Sequence, residues 1–202
     1  MRLLERRTIV FTALAITFHP LMVAQDVEQA VERYNKAEYA EAESDLRKAV
    51  EAKPDDARAN RYLGLALLEQ EKNSDAERYL KKANEIESTG ETKAALARFY
   101  AEQKDLGRAE AMLDGASGPD AAYPRGLVAF NKKKYEDAAR DLESFSESHP
   151  KHAYAHYYAG LSHNRASRPD LMAARFERFL KLAPDAPERT EVQQIMRTVR
   201  GR

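Results

Sequence analysis

The sequence predicts an all-α fold: an α-solenoid of about five helix–turn–helix repeats with a capping helix at the C-terminal end. The first indication is a helical face of alternating small and large apolar residues that recurs along the chain, with a step of 34 residues from Leu46 to Leu80 and again from Leu142 to Phe176. Ala42, Leu46 and Ala49 return as Ala76, Leu80 and Ala83, and later copies contain Ala109 with Leu113, Ala138 with Leu142, and Met172–Ala173 with Phe176. The second is a proline after three of these faces, at Pro54, Pro150 and Pro184. Such a period is typical of stacked helical hairpins.

Glycines and tyrosines at fixed distances from these faces complete the repeated unit. Gly64, Gly126 and Gly160 lie 12 or 13 residues before the alanine of the next face, each within a predicted helix. A glycine inside a helix costs about 1 kcal/mol relative to alanine, so its use here favours a very close approach of the facing helix. Tyr39 and Tyr135 lie three residues before their alanines, where they can fill the turn between two helices.

Together, these residues resemble the tetratricopeptide repeat family. The resemblance covers residues 27–184 and consists of the Leu63–Gly64 pair, the turn aromatic, and then alanine, a bulky apolar residue, alanine and proline at matching offsets. It implies a right-handed solenoid whose first helices line a concave surface. It also implies that the repeats are docking surfaces for other proteins rather than catalytic units.

Residues 1–25 do not follow the repeat and are typical of a secretory signal peptide. A basic head ends at Arg7, and an apolar run extends from Thr8 to Phe18. This run is short for a transmembrane helix, which needs about 20 residues, although an uncleaved membrane anchor is the alternative. We expect cleavage after Ala24 or Gln25 and export to the periplasm of a bacterium.

Five predicted helix pairs occupy residues 26–186. They are Val27–Lys36 with Tyr39–Ala52, Ala57–Glu71 with Ser74–Ile86, Glu91–Gln103 with Leu106–Leu113, Ala121–Lys132 with Tyr135–Ser148, and His152–Ser167 with Asp170–Leu182. Ser74 with Glu77 and Ser88 with Glu91 have the spacing of capping boxes. Pro124 falls in the first turn of its helix, where a missing N–H is harmless.

Two parts of the chain depart from the regular repeat. The third pair is truncated, since the step from Ala109 to Ala138 is 29 residues, and we expect a local kink there. Residues 187–202 follow the last pair, and we predict a single helix over Pro187–Val199. Its apolar residues lie on one side, as expected of the polar-faced cap that a solenoid needs over its last repeat.

Composition and motifs exclude several function classes. The 33 basic and 33 acidic residues balance, and no basic run marks the chain as a nucleic-acid binder. The chain contains no cysteine and hence no thiolate chemistry. No motif for phosphate binding, metalloprotease or serine-hydrolase activity is present, so we expect a protein without enzymatic activity and without a cofactor.

Three histidines lie on one stripe of a single predicted helix. His152 and His156 are close enough to share a metal ion, whereas His163 lies about 10 Å further along the helix axis. Two ligands make a weak site, because zinc normally takes three or four. The stripe also contains Ala159 and flanks Gly160, so we interpret the histidines as partly buried packing residues and expect no metal.

The remaining face of the first helices is the predicted partner-binding groove. Its residues are Arg58, Arg61, Leu65 and Leu68 in the second repeat, Tyr123, Leu127, Phe130 and Asn131 in the fourth, and Tyr154, Tyr157, Tyr158 and Leu161 in the fifth. Tyrosine and arginine often anchor interfaces. The alternative is that several of these side chains pack between adjacent first helices. The family's carboxylate-gripping pattern of paired lysines and asparagines is not reproduced, which argues against capture of a C-terminal peptide.

Two functional hypotheses follow from these observations. The first is an exported, non-enzymatic docking module of the cell envelope that binds a protein or an extended peptide segment in its groove. The alternative is a structural spacer or assembly factor held at the membrane by an uncleaved N-terminal helix; only in that case do we expect membrane association.

Overall fold

The computed structural model of the protein describes residues 20–200, with side chains over residues 26–198. Within this range the chain forms eleven α-helices and one short 3₁₀ helix, η1, and no strand. In chain order they are α1 (Pro20–Asn35), α2 (Tyr39–Ala52), α3 (Ala57–Leu68), α4 (Asn73–Ile86), α5 (Gly90–Glu102), α6 (Leu106–Leu113), η1 (Pro119–Ala121), α7 (Ala122–Asn131), α8 (Tyr135–Ser148), α9 (Ala153–Arg165), α10 (Pro169–Leu182) and α11 (Arg189–Arg200). The predicted α-solenoid of five helix pairs and a last helix is confirmed.

Helix α1 is the element whose predicted bounds were furthest from the structure. It begins at Pro20, seven residues before Val27, because proline at the first position of a helix supplies a compatible φ and lacks an N–H that would have no partner there. The two predicted cleavage positions, after Ala24 and after Gln25, therefore lie within α1. Residues 1–19, which contain the rest of the predicted signal peptide, lie outside the described residues.

The two helices of each pair approach one another closely at the predicted glycines. A Cβ atom built on Gly64 would lie 2.6 Å from Leu80 Cγ, one on Gly126 would lie 2.6 Å from Leu142 Cγ, and one on Gly160 would lie 2.5 Å from Phe176 Cδ1. Since these three facing side chains are fully buried, they have little room to move. The close approach inferred from the helical glycines is confirmed.

The turn inside each pair has the same backbone conformation in all five repeats. Its last residue has a positive φ and is never glycine; the five residues are Ala37, Glu71, Lys104, Lys133 and Ser167. The following N–H donates to a carbonyl five residues earlier, as from Lys134 to Ala129 at 2.9 Å. This bond ends the first helix in the manner of a Schellman motif. The turn aromatics pack where predicted, with Tyr39 5.5 Å from Tyr34 and Tyr135 5.8 Å from Phe130 between ring centroids.

The predicted capping boxes are wrong in position. Helix α4 begins at Asn73, so Ser74 lies inside it, and the capping residue Lys72 forms no side-chain cap. Helix α5 begins at Gly90, so its N-cap is Thr89 rather than Ser88. The Thr89 side chain accepts from the N–H of Thr92, and the Thr92 hydroxyl accepts from the N–H of Thr89.

The third repeat is shortened and the last is capped, as predicted. Helix α6 has 8 residues, whereas α2, α4, α8 and α10 have 14 each. Helix α11 packs onto the fifth repeat through Val192 and Met196, which join a core cluster with Phe176 and Phe179. A second, larger cluster runs through the first four repeats and reaches Ala155 and Ala159 on α9.

Candidate functional site

The first helices of the pairs form one continuous inner face. Helix α1 contacts α3, α3 contacts α5, α5 contacts α7, and α7 contacts α9. Packed helices lie about 8–10 Å apart, so on a flat face α1 and α9 would be far from each other. Side chains from α1, α5 and the N-terminal end of α9 nevertheless meet at one guanidinium group, as described below. The inner face is therefore concave.

Most of the predicted groove residues are buried within this face. Seven of the twelve are buried: Arg61, Leu65, Leu68, Tyr123, Leu127, Tyr157 and Leu161. Phe130, Tyr154 and Tyr158 are half-buried, and Arg58 and Asn131 are exposed. The expectation that the whole set is exposed to a partner is wrong, because adjacent first helices pack directly and use the aliphatic and aromatic side chains to fill the space between them. The packing alternative holds for the seven.

Arg98 on α5 is the centre of a buried polar network. Its Nη2 donates to Glu69 Oε1 at 2.5 Å, its Nε to Glu102 Oε1 at 2.8 Å, and its Nη1 to the Tyr34 hydroxyl at 2.9 Å. The guanidinium carbon lies 5.2 Å from the centre of the Tyr123 ring. Only 6% of the Arg98 side chain is exposed. We call these residues, together with His152, the Arg98 network; it joins all five repeats.

His152 is held in one tautomer by its position at the start of α9. Its Nδ1 accepts from the N–H of Ala155 at 3.1 Å, so in the neutral ring the proton is on Nε2. Nε2 lies 3.3 Å from Glu69 Oε1, to which it can donate, and 2.9 Å from Arg98 Nη2, which is a second donor to the same oxygen. Burial by itself would raise the pKa of Glu69, but Arg98 and His152 outweigh this effect and hold that pKa well below its usual range. Glu69 is therefore ionised at neutral pH.

Arg61 forms a second group of ion pairs on the inner face. Its Nη2 lies 2.6 Å from Glu91 Oε2 and its Nη1 lies 3.2 Å from Asp120 Oδ2, which links the second repeat to the third and fourth. Its guanidinium carbon is 4.5 Å from the Tyr62 ring centre. His149 Nε2 lies 3.2 Å from the other oxygen of Asp120. Like Arg98, Arg61 already has its partners within the chain and is not a free cation of the groove.

Two clefts open on the inner face beside these groups. The Arg61 cleft has a volume of about 330 Å³ and is lined by Asn35, Arg61, Tyr62, Glu91, Ser117, Gly118, Pro119, Asp120, Ser148 and His149. The tyrosine cleft has a volume of about 290 Å³ and is lined by Leu68, Glu69, Glu71, Asn73, Arg98, Glu102, Gln103, Tyr123, His152, Tyr154 and Tyr158. Volumes of this order suit single side chains of a partner rather than a whole element.

The three helix-stripe histidines are buried, which confirms the packing interpretation. His156 Nε2 is 3.3 Å from the Pro150 carbonyl oxygen, and burial lowers the pKa of this histidine. His163 Nε2 is 3.0 Å from Glu143 Oε1, and Arg175 donates to the same oxygen. Within residues 26–198, no group of three or more histidine and carboxylate side chains could hold a metal ion.

The sequence interpretation missed the charged members of the inner face, Glu69, Glu102 and Asp120 above all. Their spacing on helices is the same as that of residues on solvated faces. One signal could have identified Arg98: it is the single charge in the run from Ala94 to Ala101. A lone charge in the apolar part of a helix needs a buried partner.

A stack of helix pairs with a concave inner face is the architecture of helical repeat proteins. A sequence model described as tetratricopeptide repeat matches residues 27–91 and 123–187, which is more than half of the chain. The chain belongs to the tetratricopeptide repeat family. Members of this family are generally non-catalytic interaction scaffolds. No curated protein sequence matches this chain.

Solved structures with similar folds include several tetratricopeptide repeat proteins. A thermophilic protein of this kind from Thermus thermophilus, TTC0263, is 17% identical with a TM-score of 0.62, over 86% of this chain and 98% of that chain. PilW, a type IV pilus biogenesis factor, is 13% identical with a TM-score of 0.58, over 87% and 86%. PilF of Pseudomonas aeruginosa is 17% identical with a TM-score of 0.54, over 87% of both chains. At these identities, the likeness shows the fold alone.

None of the helices in residues 20–200 combines the length and the apolar character needed to cross a membrane.

Proposed function

We propose that the protein is a non-enzymatic scaffold of the bacterial cell envelope that binds a segment of another protein along its concave inner face. The observation that carries the proposal is the pair of clefts on that face. Each cleft is lined by polar and aromatic side chains from four repeats, so the two together include all five, while the apolar residues beneath them are buried. An extended segment that crosses the face can place one side chain in each cleft.

The half-buried tyrosines are the residues we assign to partner contact. Tyr62 lines the Arg61 cleft, and Tyr154 and Tyr158 line the tyrosine cleft. Tyrosine supplies a large rigid surface and a polar tip, which is why it is enriched at interfaces. Of the residues predicted from sequence, Tyr154 and Tyr158 retain this role, and Phe130 packs beside Tyr158 with 5.6 Å between ring centroids.

Photo-cross-linking from single positions tests this proposal. The full chain is produced in its own host with a photoreactive amino acid at Tyr158, at Tyr62, or at Lys48 on α2. Lys48 is a suitable control because 73% of its side chain is exposed and it lines neither cleft. We expect one and the same protein to be captured from both cleft positions and not from Lys48. Capture from Lys48 alone, or from no position, would contradict the proposal that the inner face binds a partner.

Export is the second part of the proposal, and it is supported by the basic head and short apolar run within residues 1–25. Cleavage after Ala24 or Gln25 leaves Val27, Ala30, Val31 and Tyr34, the buried residues of α1, in the mature chain. N-terminal sequencing of protein from its own host should therefore begin at Gln25 or Asp26, and fractionation should place the protein in the periplasm. A chain that begins at Met1 and sediments with membranes would favour the anchored spacer instead.

A further inference from the structure

We propose that the tyrosine cleft receives a lysine or arginine side chain of the partner segment. This inference rests on the proposed function and adds the chemistry of the bound residue. It reverses the sequence-based expectation, in which arginines of this protein were to grip the partner.

The cleft combines two aromatic rings with a surplus of negative charge. Tyr154 and Tyr158 lie one helical turn apart on α9, and both are half-buried. Three carboxylates line the same cleft, Glu69, Glu71 and Glu102, against one cation, Arg98. Aromatic faces attract cations, and they do so more strongly where water is partly excluded. The lining is therefore complementary to a long side chain with a positive end.

The arginine of the lining is not available to a ligand. Arg98 donates hydrogen bonds to Glu69, Glu102 and Tyr34, and only 6% of its side chain is exposed. It neutralises two carboxylates only in part, because one positive charge faces two negative ones. An acidic partner would meet uncompensated negative charge here, and like charges at an interface are unfavourable.

Glu71 is the carboxylate of the lining that has no ion-pair partner among residues 26–198. It is exposed and occupies the turn after α3 with φ of 59°. Glu188 adds a further negative charge next to this lining, since the Tyr154 hydroxyl donates to its Oε2 at 3.2 Å. Burial and these two carboxylates raise the pKa of Tyr154 to about 12. The charged groups that act on that hydroxyl are thus negative.

Selection from a random dodecapeptide library displayed on phage, with the full chain as bait, provides the probe. We expect the selected peptides to be enriched in lysine and arginine, and their affinity, measured by fluorescence anisotropy, to fall as salt rises. Glu71→Lys should weaken the best peptide about tenfold or more, since it places a like charge at the mouth of the cleft. The change adds no new backbone strain, because glutamate and lysine meet the same penalty at this positive φ, and Lys104 and Lys133 already occupy the same turn position in other repeats.

The matched control is Glu51→Lys, which makes the same change of net charge at an exposed position on α2 outside both clefts. It should leave the affinity within about twofold. Melting temperatures of both variants exclude unfolding as the cause. Peptides without basic residues, or equal effects of the two variants, would overturn the assignment of the cleft and leave the scaffold standing. If no peptide is selected at all, the scaffold proposal fails together with this one.

Discussion

The contacts within the helix pairs and the inner face are built on different principles. In the first region, which we call the packing seam, glycine faces a bulky apolar residue in the same geometry in the second, fourth and fifth repeats. On the inner face, the Arg98 network takes residues from all five repeats, and no single pair of residue types recurs from one repeat to the next. The seam can repeat because each pair needs only the same local contact between its two helices. The inner face cannot repeat, because its groups must fit one another across the whole curved stack.

Stability and specificity therefore depend on different regions of this protein, the seam and the inner face. The seam is made of small and bulky apolar side chains that are fully buried, and its substitution should affect folding alone. The inner face joins distant repeats through buried charges, so its substitution should affect both the stability and the curvature of the stack. Substitutions in the two regions, each with a matched control, should show this separation.

Ala76→Asp places a carboxylate in the seam and should have the largest effect. Ala76 is fully buried, and an unpaired buried charge with added bulk should lower the free energy of unfolding by about 4 kcal/mol or more. Urea denaturation followed by circular dichroism measures the loss. Ala40→Asp is the control, since Ala40 is exposed in the first turn of α2, where an acidic residue is favourable. Equal stability of the two variants would mean that the faces of these helices are misassigned.

Arg98→Met removes the cation of the inner face and leaves Glu69 and Glu102 without it. Breaking a buried pair in this way should lower the free energy of unfolding by about 3 kcal/mol. The curved stack should also open, which small-angle scattering would detect as a larger radius of gyration. Arg140→Met is the control, because 70% of its side chain is exposed and its pair with Asp137 is on the surface. A loss below about 1 kcal/mol would contradict the central role of Arg98.

Gly160→Ala tests the closest helix contact of the seam with a single added carbon. The new Cβ would lie 2.5 Å from Phe176 Cδ1, and Phe176 is fully buried. We expect a loss of about 1–3 kcal/mol. Gly107→Ala is the matched change, since the nearest atom to its Cβ is Asp105 Oδ1 at 3.9 Å and the site is exposed on α6. This variant should gain up to about 1 kcal/mol. A lower melting temperature for Gly160→Ala together with a higher one for Gly107→Ala would confirm the contact. Shifts in the same direction would contradict it.

Lys133→Gly should give the smallest effect, and it should be stabilising. Lys133 has φ of 62°, a left-handed conformation that is unfavourable for lysine and open to glycine. After the entropy of glycine is set against this strain, the expected gain is about 0.5–1 kcal/mol. Lys132→Gly, at the neighbouring residue with φ of −80°, should instead lose a similar amount. Denaturant midpoints that shift in the same direction for both would contradict the strain argument.

The fold was predictable from the sequence because its information is local and repeated. The observed helices α2, α6 and α8 have the predicted bounds, and the others differ mainly at their ends. Alanine and a bulky residue at helical spacing indicate the buried face, and glycine indicates where the other helix of the pair comes close. The start of α1 and the cap of α5 were missed. The spacing of apolar residues identifies the buried face of a helix, but it does not determine at which residue the helix begins.

The candidate site was predictable only in part. Tyr154 and Tyr158 were identified and line the tyrosine cleft as half-buried side chains, whereas Tyr123, at the base of the same cleft, and Tyr157 had the same pattern and are buried. In sequence, a tyrosine that packs on the next helix and one that faces a cleft are alike. The difference depends on how closely α7 and α9 approach, which follows from the stacking of whole repeats.

The family, the succession of helix pairs, the seam and the capping helix could be predicted from the residues, since each of these follows from residues within about 34 positions of one another. The curvature and the charge of the inner face depend on contacts between distant repeats, which only the folded chain shows. Arg98 meets Tyr34, which is 64 residues away in the chain, and Arg61 meets Asp120 across 59 residues. Charged residues on a helix have the same pattern whether they face water or each other. Only the folded stack shows that both arginines form their ion pairs within the protein and that carboxylates remain at the mouth of the tyrosine cleft.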